Sequence, residues 1–153
     1  MEYGTIAKQI YIDASPEVVY DVITSPEHIA RWWGVEADLD PAPGATGALT
    51  WNRKADTPPT GVNVTVVDAA PSERFSFRWV HPDGEAATAS NSMLVTFVLT
   101  PQGAGTLLSL TEEGMREQGW EAAVLEAYYQ GHDEGWTEHL ADLATYAPTL
   151  VRR

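Results

Sequence analysis

The second half of the chain constrains the fold most, because closely spaced strand patterns there lead into one long helical pattern. From Gly61 to Glu112 apolar and polar residues alternate in segments separated by short turns, which is the period of half-buried β-strands. Close turns between consecutive strands indicate an antiparallel sheet, not βαβ units. The helical pattern runs from Trp120 to about Ala147, where Pro148 ends it. A sheet with one apolar face must be covered, and this helix is the long element available to cover it.

The first half of the chain predicts a strand, two short helices and two further strands. Ser15-Pro16 and Ser25-Pro26 each give a helix start signal, a capping serine followed by proline in the first turn. The predicted strands are residues 5–13, 35–40 and 45–52, and residues 53–60 have the composition of a loop. The predicted order is therefore one strand, two short helices, six strands and a long helix.

The long helical pattern contains two glycines in its middle. Gly131 and Gly135 each weaken a helix by about 1 kcal/mol relative to alanine. A break or kink near Gly131 is therefore predicted. The apolar stripe that follows has the i, i+4, i+7 spacing of a helix packed on a core, and its members are Trp136, Leu140 and Leu143.

The charge and cysteine content exclude several classes of function. The chain has 9 Lys and Arg against 22 Asp and Glu, a net charge of −13, which repels phosphate backbones and anionic lipid surfaces. It has no cysteine, so disulfides, thiolate metal sites and a cysteine nucleophile are excluded. Neither a signal peptide nor an apolar run of membrane-spanning length is visible. We expect one soluble, cytoplasmic domain over residues 1–153, with no nucleic-acid or membrane partner.

Short segments along nearly the whole chain carry packing and capping patterns in a characteristic order. They are Ile12–Tyr20, Thr24–Ile29, Arg31–Trp33, Gly105–Thr106 and His132–Trp136, the last followed by Leu140 and Leu143. In order and spacing they resemble the START-like, or SRPBCC, superfamily, and within it the branch named after the activator of the heat-shock-protein-90 ATPase. The resemblance implies an α+β helix-grip fold, as in the birch-pollen allergen. A curved antiparallel sheet of about seven strands wraps a long C-terminal helix, and two short helices follow the first strand.

The resemblance also implies an internal cavity, but it implies no single activity. The superfamily contains lipid and hormone carriers, polyketide cyclases and co-chaperone domains, so function has to be argued from the site. Six aromatic residues fall on positions expected to face inward: Trp33, Trp51, Phe77, Trp79, Phe97 and Trp136. Each alone is explained by core packing, whereas together they are typical of the lining of a small-molecule pocket.

Two residues are candidate polar groups of this cavity. His132 lies one turn before Trp136 on the same helical face, where it would orient a ligand, act as a general base, or serve only as a structural histidine. If its strand face is inward, Glu112 enters the cavity rim, where desolvation raises its pKa. Otherwise it reaches solvent at the end of its strand. Tyr128 or Tyr129 would supply a hydroxyl, and the sequence leaves open which one faces inward.

The other polar candidates receive simpler interpretations. We expect His28 on the solvated side of a short helix, His81 at a loop near the cavity mouth and Arg78 on the outer face of the sheet. No metal site is predicted, because His132 with Asp133 or His139 has no recognisable ligand spacing. No cofactor is predicted either, since nucleotide-binding and nucleophile-elbow motifs are absent from the sequence.

Three hypotheses about function follow. The first is binding of a small apolar or aromatic ligand in the internal cavity, with that small hydrophobic molecule as the partner. The second is a cyclase, dehydratase or hydrolase that acts in the same cavity through His132, Glu112 or a tyrosine. The third is a co-chaperone-like protein-interaction module, which would require a large exposed apolar patch. A homodimer is left open, since the sequence gives no direct sign of one.

Overall fold

The computed structural model describes residues 4–51 and 60–150. The order of its elements is β1 (Thr5–Ile12), α1 (Pro16–Thr24), α2 (Pro26–Trp32), β2 (Glu36–Asp38), β3 (Thr46–Trp51), β4 (Thr60–Ala70), β5 (Arg74–His81), β6 (Met93–Gln102), β7 (Gly105–Glu113) and α3 (Ala122–Tyr146). Short 3-10 turns at Arg116–Gln118 and Ala147–Leu150 precede and follow α3. The element order predicted from the sequence is confirmed, while most of the predicted loop at residues 53–60 lies outside the described residues.

The seven strands form one antiparallel sheet in the order β1-β7-β6-β5-β4-β3-β2. Strands β2 to β7 are therefore a meander, and β1 joins its end beside β7. Two irregularities in the β4–β5 pairing, between Asn63 and Val64 and between Val66 and Asp68, add local bend and twist to the strands. The predicted α+β helix-grip fold is confirmed: a curved antiparallel sheet packs against a long helix.

Of the two serines predicted to cap a helix, Ser15 does so with its side chain and Ser25 does not. The Ser15 hydroxyl accepts a hydrogen bond from the Val18 backbone N–H at 3.3 Å and caps α1. The Ser25 hydroxyl makes no such cap for α2 and instead donates to Asp21 at 2.8 Å. Trp32 then fixes α2 against α1, because its indole N–H donates to the Val22 carbonyl at 2.9 Å. These contacts place Trp33, directly after α2, at one end of the sheet.

Helix α3 is continuous over 25 residues, so the predicted break near Gly131 is wrong. Three apolar side chains of the helix are buried against the rest of the domain, namely Trp136, Leu140 and Leu143. Burying side chains of this size stabilises by about 1.5–3 kcal/mol each, which exceeds the helix-propensity cost of the two glycines. Tertiary packing therefore keeps the helix continuous.

The main core lies between the concave face of the sheet and the three helices. It includes every second residue of β5 and β6, among them Phe75, Phe77, Val95 and Phe97, all at most 2 % exposed. Within the described part of the chain, no helix is long and apolar enough to cross a membrane.

Candidate functional site

A fully buried carboxylate lies at the centre of the candidate site. Glu112 continues the inward-facing series of β7 after Leu108 and Leu110, and its exposed fraction is 0 %. The sequence left two positions open for this carboxylate: the cavity rim, if its strand face is inward, or solvent at the end of the strand. The structure corrects both positions, because strand pairing on both sides, with Ile6 and Val95, holds Glu112 in the middle of the sheet.

Four side chains donate hydrogen bonds to this carboxylate. One oxygen, Oε1, accepts from His132 Nδ1 at 2.9 Å and from the Trp136 indole N–H at 2.8 Å. The other, Oε2, accepts from the Trp79 indole N–H at 3.0 Å and from the Tyr128 hydroxyl at 2.7 Å. A carboxylate offers about four acceptor positions, and all are occupied. We call these five residues the Glu112 cluster.

The donors determine the protonation of the Glu112 cluster. Burial acts to raise the pKa of Glu112, but the hydrogen bond and charge of His132, with the bonds from Trp136 and Tyr128, hold that pKa below its ordinary value. The expected rise in the pKa of Glu112 is therefore wrong, because the hydrogen bonds of these three residues and the charge of His132 outweigh desolvation. Burial and the Glu112 charge raise the pKa of Tyr128, so its hydroxyl stays protonated. An ionised Glu112 also requires the proton on His132 to sit at Nδ1.

The His132 ring is held on both faces. The Tyr128 ring stacks on one face with centroids 3.8 Å apart and an interplanar angle of 19°. Trp79 meets the imidazole nearly edge-on at 5.7 Å and 80°. Since Nδ1 faces Glu112, Nε2 lies on the ring edge that points away from the carboxylate. Within the described residues no protein group hydrogen-bonds to Nε2, and the side chain remains 28 % exposed.

A pocket of about 160 Å³ adjoins this imidazole. Its lining residues are Trp33, Trp51, Trp79, Gly131, His132, Gly135, Trp136 and His139. The Trp33 ring is central, with its centroid 5.2 Å from that of Trp136 and 5.8 Å from that of Trp79. The volume is close to that of an engineered apolar protein cavity of about 150 Å³ that holds benzene. The pocket therefore suits one aromatic ring, or the end of a larger molecule.

Two glycines of α3 keep one wall of the pocket free of side chains. A Cβ atom added at Gly131 or at Gly135 would meet nothing within 4 Å. Neither glycine is needed for close packing or for a left-handed backbone conformation, since neither has a positive φ. Their visible effect is to leave open space along the helix beside His132.

The structure brings together most of the residues predicted from the sequence. Four of the six aromatic candidates line the pocket, namely Trp33, Trp51, Trp79 and Trp136, and so does His132. Phe77 and Phe97 do not line it. They are buried behind it and support Trp79 and Trp136, at centroid distances of 5.6 and 6.1 Å respectively.

Several site residues were not predicted to belong to the pocket. Gly131 and Gly135 were interpreted only as helix breakers, although i, i+4 spacing places them on one helical face. His139 lies seven residues after His132, which puts both histidines on the same face, and this spacing was the available signal. Of the two candidate tyrosines, Tyr128 reaches Glu112, Tyr129 lies half-buried against the core, and neither is among the residues that line the pocket.

Two other histidines differ from the prediction. His28 is not simply solvated, because its Nδ1 is 2.8 Å from the Tyr146 hydroxyl and its Nε2 is 3.3 Å from an Asp21 oxygen. His81 ends β5 and is 8 % exposed, with Nε2 3.1 Å from the Thr65 hydroxyl, and it is not among the pocket residues. Within the described residues there is no group of three or more His, Asp or Glu that could hold a metal ion.

Comparison with known proteins gives a family and a set of similar folds. The family model described as "Activator of Hsp90 ATPase homolog 1-like protein" matches residues 13–147. Protein MLL2253 from Mesorhizobium loti has a TM-score of 0.72 at 24 % identity, over 92 % of this chain and 94 % of that one. Protein CV1439 from Chromobacterium violaceum has a TM-score of 0.71 at 23 % identity, over 94 % and 97 %.

A third similar structure is titled as a dimer. The Aha1 dimer from Colwellia psychrerythraea has a TM-score of 0.67 at 18 % identity, over 92 % of each chain. At these identities the structural likeness shows a shared fold only. No curated protein matches the chain in sequence.

Proposed function

Because the chain belongs to the activator of Hsp90 ATPase homolog 1-like family, and this membership implies no single activity, we propose a function from the geometry of the pocket. The proposed function is binding of a small aromatic molecule in that pocket. One observation carries this proposal. Four tryptophans and a side-chain-free helical strip surround a space of benzene size beside an oriented imidazole. Ligand pockets are typically apolar and aromatic with a few convergent polar groups.

The shape of the pocket favours a flat ligand. Tryptophan rings present broad apolar faces, and aromatic pairs gain about 0.5–1.5 kcal/mol beyond the burial of their area. The ring of Trp33 lies against those of Trp51, Trp79 and Trp136 at centroid distances of 5.2–6.1 Å. Gly131 and Gly135 leave the helix side of this space open, so that the edge of a ring approaches the backbone without meeting a side chain.

The polar groups of the pocket select a ligand with one hydrogen-bonding substituent. In its neutral form His132 carries its proton on Nδ1, where Glu112 accepts it, so Nε2 of that form accepts a hydrogen bond from a hydroxyl or N–H group. The indole N–H groups of Trp33 and Trp51 bond to no described residue, and they are candidate donors to a ligand oxygen. A phenol-like molecule satisfies both the apolar walls and Nε2.

A pair of probes that differ by one hydroxyl tests this function. 4-Methylphenol and toluene share the same ring and methyl group, and only the first donates a hydrogen bond. We expect 4-methylphenol to raise the melting temperature and to change the tryptophan emission, with an affinity about 3–10-fold above that of toluene, as expected for one hydrogen bond.

The histidine variants give the matched control. His132→Asn keeps an amide nitrogen near the position of Nδ1, where it can donate to Glu112, but it lacks Nε2. We expect this variant to bind both probes with nearly equal affinity, whereas His28→Asn, which lies outside the pocket, retains the preference for 4-methylphenol. The proposal fails if neither probe binds, or if tryptophan emission responds equally in a variant whose pocket is filled, such as Gly135→Leu.

Further predictions from the sequence belong to this proposal as well. A cytoplasmic location and a homodimer both remain predictions, and the similar structure titled as a dimer gives a reason to measure the second. Light scattering coupled to size-exclusion chromatography would distinguish a monomer of 16.7 kDa from a species of twice that mass.

A further inference from the structure

We infer that His132, oriented by Glu112, acts as a general base in the pocket and moves a proton on a bound aromatic carbonyl compound. The inference rests on the proposed function, because the substrate must first enter the same pocket. It goes beyond binding in assigning a catalytic residue, a positioning residue and a reaction class, which is enolisation.

The geometry gives His132 a defined proton-accepting atom. Its Nδ1 donates to Glu112 at 2.9 Å, so in the neutral imidazole, the form that acts as a base, the lone pair is on Nε2, at the opposite edge of the ring. Stacking by Tyr128 at 3.8 Å and edge contact with Trp79 at 5.7 Å prevent the ring from turning away. A general base needs this combination of a fixed lone pair and reach to the substrate.

Glu112 acts through the imidazole and does not touch the substrate. Its carboxylate is fully buried and makes no contact with the pocket space, whose lining excludes it. It fixes the tautomer of His132, and its negative charge stabilises the imidazolium that forms when Nε2 takes a proton. Among the described residues, the other titratable group in contact with the imidazole is Tyr128, which stays neutral, so Glu112 provides the charge.

The proposed step balances without a co-reactant. The C–H bond next to the carbonyl breaks, its proton goes to Nε2, and its electron pair forms the enolate, whose charge lies on oxygen. The indole N–H groups of Trp33 and Trp51, which bond to no described residue, are the donors available to that oxygen. Return of the proton from His132 to a carbon of the enolate regenerates the base and completes an exchange or an isomerisation.

Hydrogen–deuterium exchange of 2-indanone tests the step directly. This flat bicyclic ketone has acidic C–H bonds next to its carbonyl, and its benzene ring matches the pocket in size. In mildly alkaline heavy water, proton NMR follows the loss of its CH₂ signal. We expect the protein to accelerate exchange above the buffer rate, and His132→Asn to lower the protein-catalysed rate by about 100-fold, the usual contribution of a general base.

The controls separate catalysis from binding. His28→Asn should exchange 2-indanone at the wild-type rate, and tryptophan emission should show that His132→Asn still binds the ketone. Binding with exchange only at the buffer rate would overturn the general base and leave the proposed binding function intact. Absence of both binding and exchange would overturn both proposals.

A spectroscopic measurement tests the role of Glu112 in the folded wild-type protein. Nitrogen-15 NMR of the imidazoles distinguishes a proton on Nδ1 from one on Nε2, and loss of the signal in His132→Asn assigns it. We expect the Nδ1–H tautomer, and an Nε2–H tautomer would overturn the inference, since it leaves no lone pair in the pocket. His28→Asn, a change outside the Glu112 cluster, should leave this His132 signal unchanged.

Discussion

Within the described residues, two clusters each contain a histidine, a carboxylate and a tyrosine, yet they differ in whether a histidine nitrogen is left without a protein partner there. The Glu112 cluster contributes Glu112, His132 and Tyr128, and the second, which we call the His28 cluster, consists of Asp21, His28 and Tyr146. In the His28 cluster both imidazole nitrogens lie against protein groups, at 2.8 Å from Tyr146 and 3.3 Å from Asp21. A surface depression of about 350 Å³ adjoins it, but His28 has no nitrogen left for a ligand.

Burial of the carboxylate explains the difference. Asp21 is 63 % exposed, so water satisfies the oxygens that the protein does not. Glu112 has no access to water and must receive all of its hydrogen bonds from side chains. The four hydrogen bonds to Glu112 fix the positions of His132 and of two tryptophans at the same time. The comparison shows that the shared residue types matter less than whether the carboxylate is buried.

The largest expected effect is the loss of the buried charge. In Glu112→Gln, an amide NH₂ group replaces one carboxylate oxygen and faces an indole N–H donor there, so hydrogen bonds on that side are lost together with the charge. We expect the free energy of unfolding to fall by about 3–5 kcal/mol. Asp21→Asn, the matched change at the surface, should lower it by less than about 1 kcal/mol. Urea denaturation of both variants measures the contrast, and equal losses would show that burial does not set the energetic role of the carboxylate.

The same comparison predicts a pH dependence. The pKa of Glu112 in the fold lies below its ordinary value of 4.5, so the unfolded chain binds the proton more readily than the folded one. The stability that this difference contributes is fully present above about pH 4.5 and is lost as the pH falls through the lower folded pKa. Urea unfolding between neutral and acidic pH should show the wild type losing stability faster than Glu112→Gln. If the free energies of unfolding of the wild type and Glu112→Gln differ by the same amount at every pH, the lowered pKa of Glu112 is contradicted.

The sequence predicts the fold well because the periodic patterns are strong and local. Strand alternation from Gly61 to Glu112 and the apolar stripe of α3 each follow from burial on one face. The prediction of a helix break at Gly131 failed because helix propensity of about 1 kcal/mol is small beside the burial of Trp136. Ser25 failed as a cap because its hydroxyl had a competing partner in Asp21, a contact within one turn that propensity rules do not weigh.

The site is less predictable than the fold, because it depends on contacts between distant elements. Alternation in β7 put Glu112 on the same strand face as Leu108 and Leu110, but its four partners come from β5 and α3. The direction of its pKa shift depends on how many donors converge, which no local pattern contains. The pocket itself depends on the space beside Gly131 and Gly135, and empty space leaves no signal in a sequence.

Replacing the tyrosine of each cluster by phenylalanine is expected to give the next smaller loss in the free energy of unfolding. Tyr128→Phe removes a 2.7 Å hydrogen bond to the buried carboxylate, and bonds to charged groups contribute about 1.5–3 kcal/mol. Tyr146→Phe removes a bond to an imidazole at 2.8 Å, for which about 0.5–1.5 kcal/mol is expected. Thermal or urea unfolding of both variants should therefore rank Tyr128→Phe as the more destabilising, and the reverse order would contradict the assignment of Glu112 as the charged acceptor.

The smallest effect is a rise in the free energy of unfolding. It distinguishes the contribution of Gly135 to ligand binding from its effect on the stability of α3. Gly135→Ala improves helix propensity by about 1 kcal/mol and meets no atom within 4 Å, so we expect the free energy of unfolding to rise. The added methyl group occupies pocket space, and 4-methylphenol should bind at least about threefold more weakly. Thr137→Ala, on the exposed side of the same helix, should also stabilise the fold, by about 0.5 kcal/mol, without changing binding. A gain in stability with unchanged affinity in Gly135→Ala would mean that the ligand does not lie against α3, and the side-chain-free strip would then have no part in selecting a flat molecule.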